Sequence, residues 1–252
     1  MKLIVAARLA RVFVHVAAGL ATCALLFPFV PAVQRERLVG RWSRRLLRIC
    51  RVQLAETGAP LAHALLAANH VSWLDIFVIN ALAPAHFVAK AEIRAWPVLG
   101  WLTAQAGTVF IARGSRRDLR HTFKGIVDQL ERGGRVAFFP EGTTAPQGAL
   151  LAFHANLFEA AIDAGVAVQP LALAYLDDSG SAHAAVEFTG DMTFAGSMLA
   201  ILGGPPVQAR LCWLAPLDAR GAHRRALSAA ARVAIDDALG DVLGGQVGGR
   251  AA

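Results

Sequence analysis

Residues 12–33, VFVHVAAGLATCALLFPFVPAV, hold one strongly polar side chain, His15. As a helix this run extends about 33 Å, close to the hydrocarbon thickness of a bilayer. Pro28 and Pro31 end or kink it early. In the next segment, RERLVGRWSRRLLRICRV, the residues Leu38, Trp42 and Leu46 recur at every fourth position with Val39 and Ile49 beside them, and arginines fill the other side. That is the pattern of a basic amphipathic helix. Residues 1–51 therefore read as an N-terminal membrane-associated helical hairpin. A span across the bilayer and a hairpin dipping into one leaflet are both compatible with the pattern, as is an arginine helix packed on the rest of the protein. A signal peptide is less compatible, because no small-x-small cleavage site precedes the arginines.

From about residue 52 the pattern changes to short β-like runs alternating with helical stretches. Strands are predicted at HALLAANH, AHFVAK, TVFIAR, RVAFF, AVQPLALAY, AAVEF and VQARLCWL. Pro170, inside AVQPLALAY, argues for a bulge or an edge position. Helices are predicted at WLDIFVINAL, at VLGWLTAQAG ending on Gly107, at 115–131, at FHANLFEAAIDAG and at 222–239. The third of these has Ser115 as N-cap with Asp118 three residues later, and Gly133-Gly134 as its stop. The alternation predicts an α/β fold: a single domain over 52–240 with a largely parallel mixed sheet flanked by helices. The glycine-rich stretch 241–252 reads as a flexible tail.

The 252 residues are 56% apolar and carry a formal net charge of +7. The charge is uneven: ten Lys and Arg residues face the single acid Glu36 in the first 52 residues, and the remainder is slightly acidic. Basic residues that flank an apolar run suit an anionic membrane surface; they lack the spread and the aromatic interleaving of a nucleic-acid face. If 12–33 spans, the arginines put the side after residue 34 in the cytoplasm. The cysteines Cys23, Cys50 and Cys212 are odd in number and widely spaced, which excludes a disulfide framework and a zinc site and fits a reducing compartment.

Three polar groups fall just beyond predicted strand ends, where open α/β sheets bind ligands. NHVSWLD (69–75) follows the first strand. Ser72 and Asp75 are spaced as a capping box, which would start a helix after His70 and let the chain fold His70 back towards Asp75. Capping and base chemistry are then compatible. Arg113, in GTVFIARGSRR, stands where a guanidinium could clamp a phosphate or carboxylate; Arg116 and Arg117 read as solvated. In FFPEGTTAPQG, Pro140 and Gly142 force an abrupt turn that presents Glu141 and backbone amides.

Together the three segments resemble the glycerolipid acyltransferases of the 1-acylglycerol-3-phosphate (lysophosphatidate) acyltransferase type, including the lyso-ornithine lipid acyltransferase-like branch. The first motif of that family, Asn-His-x-x-x-x-Asp, matches Asn69, His70 and Asp75; the second, Gly-x-x-Phe-Ile-x-Arg, matches Gly107, Phe110, Ile111 and Arg113. The third, Phe-Pro-Glu-Gly-Thr-Arg, matches Phe139, Pro140, Glu141, Gly142 and Thr143; the fourth, Val-x-Pro, matches Val168 and Pro170. Lys90, Trp96 and Pro97 look similar to the intervening family residues. The resemblance runs over about residues 50–215. It implies a membrane-associated enzyme of phospholipid biosynthesis. Such an enzyme moves a fatty acyl group from acyl-CoA or acyl-acyl-carrier-protein to the free hydroxyl of lysophosphatidate, with no metal and no other cofactor. His70 would be the general base and Asp75 its orienting acid, with Arg113, Lys90, Glu141, Gly142 and Thr143 on the substrates. Ser72 would cap and not form an acyl-enzyme. His154 follows the third motif in FHANLFEAAIDAG but, like the other histidines, has no partner comparable with Asp75. The resemblance places the enzyme on the cytoplasmic face of the inner membrane. One departure is visible: Thr144 stands where the family carries an Arg that helps hold the acceptor's phosphate. It opens an alternative acceptor, chiefly lyso-ornithine lipid.

Overall fold

The computed structural model describes residues 2–111 and 116–244. Its sheet is built from β1 (Val52–Thr57), β2 (Ala64–Ala68), β3 (His86–Lys90), β4 (Val109–Ile111), β5 (Arg135–Phe138), β6 (Val168–Leu176) and β7 (Val207–Trp213). The strand order is β1-β7-β6-β2-β5-β3-β4. All neighbours are parallel except β6 and β7. The expected largely parallel mixed sheet is therefore present. β2 and β6 are buried along their whole lengths, so they read as unbroken apolar runs and not as alternating ones.

The helices are α1 (Lys2–Leu25), α2 (Ala32–Ile49), α3 (Leu74–Leu82), α4 (Leu99–Gln105), α5 (Arg116–Glu131), α6 (Glu159–Asp163), α7 (Phe194–Gly203) and α8 (Arg224–Gly244). They cover both faces of the sheet. Alternate residues of β2 go to opposite cores: Leu66 packs with Leu47, Leu74 and Leu202, and Leu65 with Ile126, Leu130 and Ala231. A third cluster joins Ile235 and Leu239 of α8 to Ala172 and Ala174 of β6.

Several expectations change. α1 begins at Lys2, well before residue 12, and a turn of 3-10 helix at Phe27–Phe29 leads to Pro31 at the start of α2. The apolar side of α2 is taken up by the protein: Leu46 and Leu47 are buried in the core with Leu74 and Val78 of α3, and its arginines lie outside. The arginine helix is therefore the packed one. AAVEF is not a strand; Ala184–Val186 makes a 3-10 turn, and Phe188 N donates to Val71 O at 3.0 Å, across the loop that follows β2. FHANLFEAAIDAG divides into a 3-10 turn, Ala155–Phe158, and the short α6. Pro170 does not sit at an edge, and the pairing shifts by one residue across it, from Val168↔Leu217 to Leu171↔Trp213. It lies in an internal strand, just before the β6–β7 ladder starts at Leu171, and it needs to offer only its carbonyl, to Leu214 N at 3.1 Å. β1 and α7 had no distinct sequence signal. Residues 241–244, expected in the tail, continue α8, and 245–252 lie outside the described residues.

Gly107 shows how tightly the C-terminal end of α4 is built. Its φ is +80°, and a Cβ there would lie 2.1 Å from His86 Nδ1. Thr108 N donates back to Thr103 O at 3.1 Å, which closes the helix end. Gly107→Ala is expected to cost about 2–4 kcal/mol, from left-handed strain together with displacement of His86. Urea unfolding of the two proteins measures it.

Candidate active site

The carboxyl ends of β2, β3, β4 and β5 share one edge of the sheet, since these strands are parallel. At that edge β2 and β6 part, and Asn69 bridges them. Its Nδ2 donates to Leu173 O at 2.9 Å and its Oδ1 accepts from Leu173 N at 2.8 Å. This two-point tie fixes where the chain leaves the sheet, and His70 is the next residue.

Asp75 organises the loop. Its side chain is fully buried, and its Oδ2 accepts from Val71 N at 2.8 Å and Ser72 N at 3.0 Å and stands 2.7 Å from His70 Nδ1. Its Oδ1 accepts from the Tyr175 hydroxyl at 2.6 Å. The expected capping box is thus half present: the Asp75 carboxylate bonds Ser72 N, but the Ser72 hydroxyl has no partner among the described residues. Ser72 is wholly buried, which removes it from reach of a substrate. The fold-back of His70 onto Asp75 occurs as the sequence spacing allowed. With a carboxylate on Nδ1, that nitrogen carries the proton and Nε2 presents its lone pair.

Tyr175 is the residue that sequence reasoning missed. It is the single tyrosine of the chain and is fully buried in β6. Burial, then the charge of Asp75 and the hydrogen bond to it, push its phenol well above the ordinary range, so it stays a donor. One signal was available: a lone hydroxyl in an otherwise aliphatic buried strand requires an acceptor.

The third motif closes over the histidine. Glu141 Oε1 accepts from His70 N at 2.8 Å and Oε2 from Leu151 N at 2.9 Å, while Ala145 N donates to His70 O at 2.8 Å. Phe139 stacks on the imidazole with ring centroids 3.8 Å apart and planes 8° apart. Glu141, expected at the acceptor headgroup, is buried with both oxygens on backbone amides, so its place is behind His70. Gly142 adopts φ +70°, with the His154 ring 3.5 Å from where a Cβ would stand. Thr143 is exposed, and the Thr144 hydroxyl donates to Phe188 O. Lys90 is exposed at the end of β3. Arg113, and the side chains of Arg116 and Arg117, lie outside the described residues.

An apolar cavity of about 130 Å³ lies between α1, α2, α3 and α4. Gly19, Trp42, Phe77, Phe87 and Leu102 are among its walls. Phe87 is also 6.0 Å, centroid to centroid, from Phe139. Two ring contacts therefore separate the cavity wall from His70.

A His-Asp pair with its carboxylate buried, at the strand ends of an α/β sheet and near an apolar cavity, has the make-up of a general-base site. The chain belongs to the acyltransferase family. The family's sequence model, described as Acyltransferase, matches residues 50–174. A lyso-ornithine lipid O-acyltransferase of Pseudomonas aeruginosa is 41% identical over 206 residues, 81% of this chain and 79% of that one. A 1-acyl-sn-glycerol-3-phosphate acyltransferase of Neisseria meningitidis serogroup B is 47% identical over 150 residues, 58% of each chain, so the match spans less than two thirds of that relative. The crystal structure of the 1-acyl-sn-glycerophosphate acyltransferase PlsC from Thermotoga maritima has the same fold, with a TM-score of 0.66 at 19% identity over 94% of this chain and 95% of that one.

Burial raises the Glu141 carboxyl, against the two backbone amides and His70, which lower it. The folded protein thus holds the Glu141 proton more tightly than the unfolded chain does. The stabilisation from Glu141 is complete below the ordinary glutamate range and is lost as pH rises through the raised value. Denaturation midpoints of the wild type are expected to fall across that interval relative to those of Glu141→Gln, which removes the titration.

Proposed function

We propose that this acyltransferase transfers a fatty acyl group from acyl-CoA or acyl-acyl-carrier-protein to the free hydroxyl of lysophosphatidate. The observation that carries the reading is the His70–Asp75 pair, held by buried donors, with the imidazole Nε2 unpaired among the described residues. Nε2 takes the proton of the lipid hydroxyl as its oxygen attacks the thioester carbonyl, and Asp75 stabilises the imidazolium. The tetrahedral intermediate expels the thiolate, and His70 returns the proton to the sulfur. The oxyanion needs donors. Gly142 N is used by Phe139 O and Ala145 N by His70 O, which leaves the Thr143 and Thr144 amides of the loop without a partner among the described residues. The acyl chain enters the apolar cavity. Arg113 and Lys90 hold the acceptor headgroup, and Glu141 positions the third loop against His70. The thioester supplies the activation, so neither metal nor further cofactor enters the reaction.

The hairpin fits a monotopic attachment. α1 is docked along the protein: Arg8 Nη1 donates to Leu202 O at 2.6 Å, and Trp42 Nε1 and His15 Nε2 each bond the other's carbonyl, at 3.1 and 2.9 Å. Its outer side exposes Leu3, Ile4, Phe13, Val14 and Leu25. A helix held this way lies in the interface plane with its apolar side in the acyl region, and the arginines of α2 meet anionic headgroups. The basic hairpin and the free cysteines suit the cytoplasmic leaflet of the inner membrane.

A second acceptor, lyso-ornithine lipid, is favoured by Thr144, whose hydroxyl is committed to Phe188 O where the family's Arg would face the phosphate. The long matches to lyso-ornithine lipid O-acyltransferases, in Pseudomonas aeruginosa and at 37% identity over 192 residues in Brucella abortus, support it too. Detergent-purified protein offered both acceptors with one acyl donor separates the two. Faster acylation of lysophosphatidate is expected, improved further by Thr144→Arg; preference for lyso-ornithine lipid overturns the first reading.

The His70–Asp75 chemistry has its own test. His70→Ala is expected to lower kcat about 10²–10⁴-fold. Tyr175→Phe, which alters only a partner of Asp75, is expected to lower kcat about tenfold with KM unchanged. Undiminished turnover by His70→Ala would overturn the mechanism.

A further inference from the structure

The connection from β3 to α4 and the first turn of α4 carry three large apolar side chains on the outside of the protein within six residues. Trp96 is 47% exposed, Val98 47% and Trp101 42%. Water gives no reason for this grouping. The backbone beneath is rigid: Gly100 N donates to Trp96 O at 2.9 Å, and a Cβ on Gly100 would lie 2.2 Å from Arg94 O. At its tip Val98 adopts φ +64° and ψ −57°, with Leu99 N donating to Pro97 O at 2.7 Å, a tight γ-turn. A β-branched residue in that conformation is strained. The strain is not repaid by burial, because Val98 points outward.

The position of the loop identifies its occupant. The inner side of α4, through Leu99 and Leu102, lines the same cavity as Gly19 and Phe27 of the hairpin. The Trp96–Trp101 projection is therefore continuous with the hairpin whose outer side is apolar. Lys90 and Arg94 flank it, with one acid, Glu92, and all three are exposed. Tryptophan flanked by cations is the composition of a bilayer interface. We propose that Trp96, Val98 and Trp101 form a second membrane contact that inserts into the headgroup–acyl boundary of an anionic leaflet. The contact rests on the monotopic reading of the hairpin. With α1 it extends the membrane-facing surface of the protein from the hairpin past the cavity they both line.

The test uses full-length protein reconstituted with vesicles of phosphatidylcholine and phosphatidylglycerol, with and without lipids brominated on their acyl chains. Bromolipid is expected to quench a component of the tryptophan fluorescence that is missing from the W96F/W101F variant, which keeps aromatic packing. In flotation, W96S/W101S is expected to bind the same vesicles about tenfold more weakly than wild type. Vesicle-bound wild type whose quenching equals that of W96F/W101F would overturn the second contact and leave the hairpin as sole anchor. Failure of wild-type protein to float at all would instead overturn the monotopic reading.

Discussion

The whole site hangs on a charge removed from water. A carboxylate with no solvent access needs hydrogen-bond donors from the protein in place of water. Asp75 meets that demand with four donors from two regions of the chain: His70 Nδ1 and two backbone amides of its own loop, and Tyr175 from β6. Each donor has a fixed place for a different reason. The amides are fixed by the start of α3, the phenol by the interior of the sheet, and the imidazole by Phe139 behind it. In the proposed mechanism, what makes the histidine useful as a base is the same set of bonds that makes the buried acid tolerable.

A second layer of backbone bonds ties this centre to the rest of the fold. Asn69 joins β2 to β6, Glu141 joins the loop after β5 to His70, and Ala145 closes the ring by bonding the His70 carbonyl. These bonds fix the geometry of the loops around His70. Glu141 is instructive: in a sequence it is an acid at a strand end and invites a headgroup role, whereas in the fold it is a splint between two loops.

Much of this was legible in the sequence. The alternation of short apolar runs with helical stretches predicted the parallel sheet, since strands covered on both faces, such as ALLAA, are apolar throughout. The five-residue spacing of His70 and Asp75 allowed their meeting, because both belong to one loop and one helix start. What local spacing cannot carry is contact across a hundred residues. Tyr175 reaches Asp75 only because β6 lies beside β2, and that adjacency is a property of strand order. The capping reading failed in detail for a related reason: Ser-x-x-Asp predicts two reciprocal bonds, and burial of the loop left room for one. Pro170 misled because a proline argues against an internal strand only where its missing N–H would have met a partner. β1 and α7 escaped notice because neither has a pattern distinct from its neighbours.

Only Cys50 and Arg51 separate the end of α2 from β1, and β1 pairs along its length with β7 near the other end of the chain. The hairpin is consequently not a tether. It cannot swivel without moving the sheet, so whatever orientation it takes on a bilayer is imposed on His70 as well. In the proposed mechanism such an enzyme holds its reactive nitrogen at one height and one tilt above the lipids. Its choice of acceptor then includes a term that no headgroup pocket supplies: the depth at which a lipid carries its free hydroxyl.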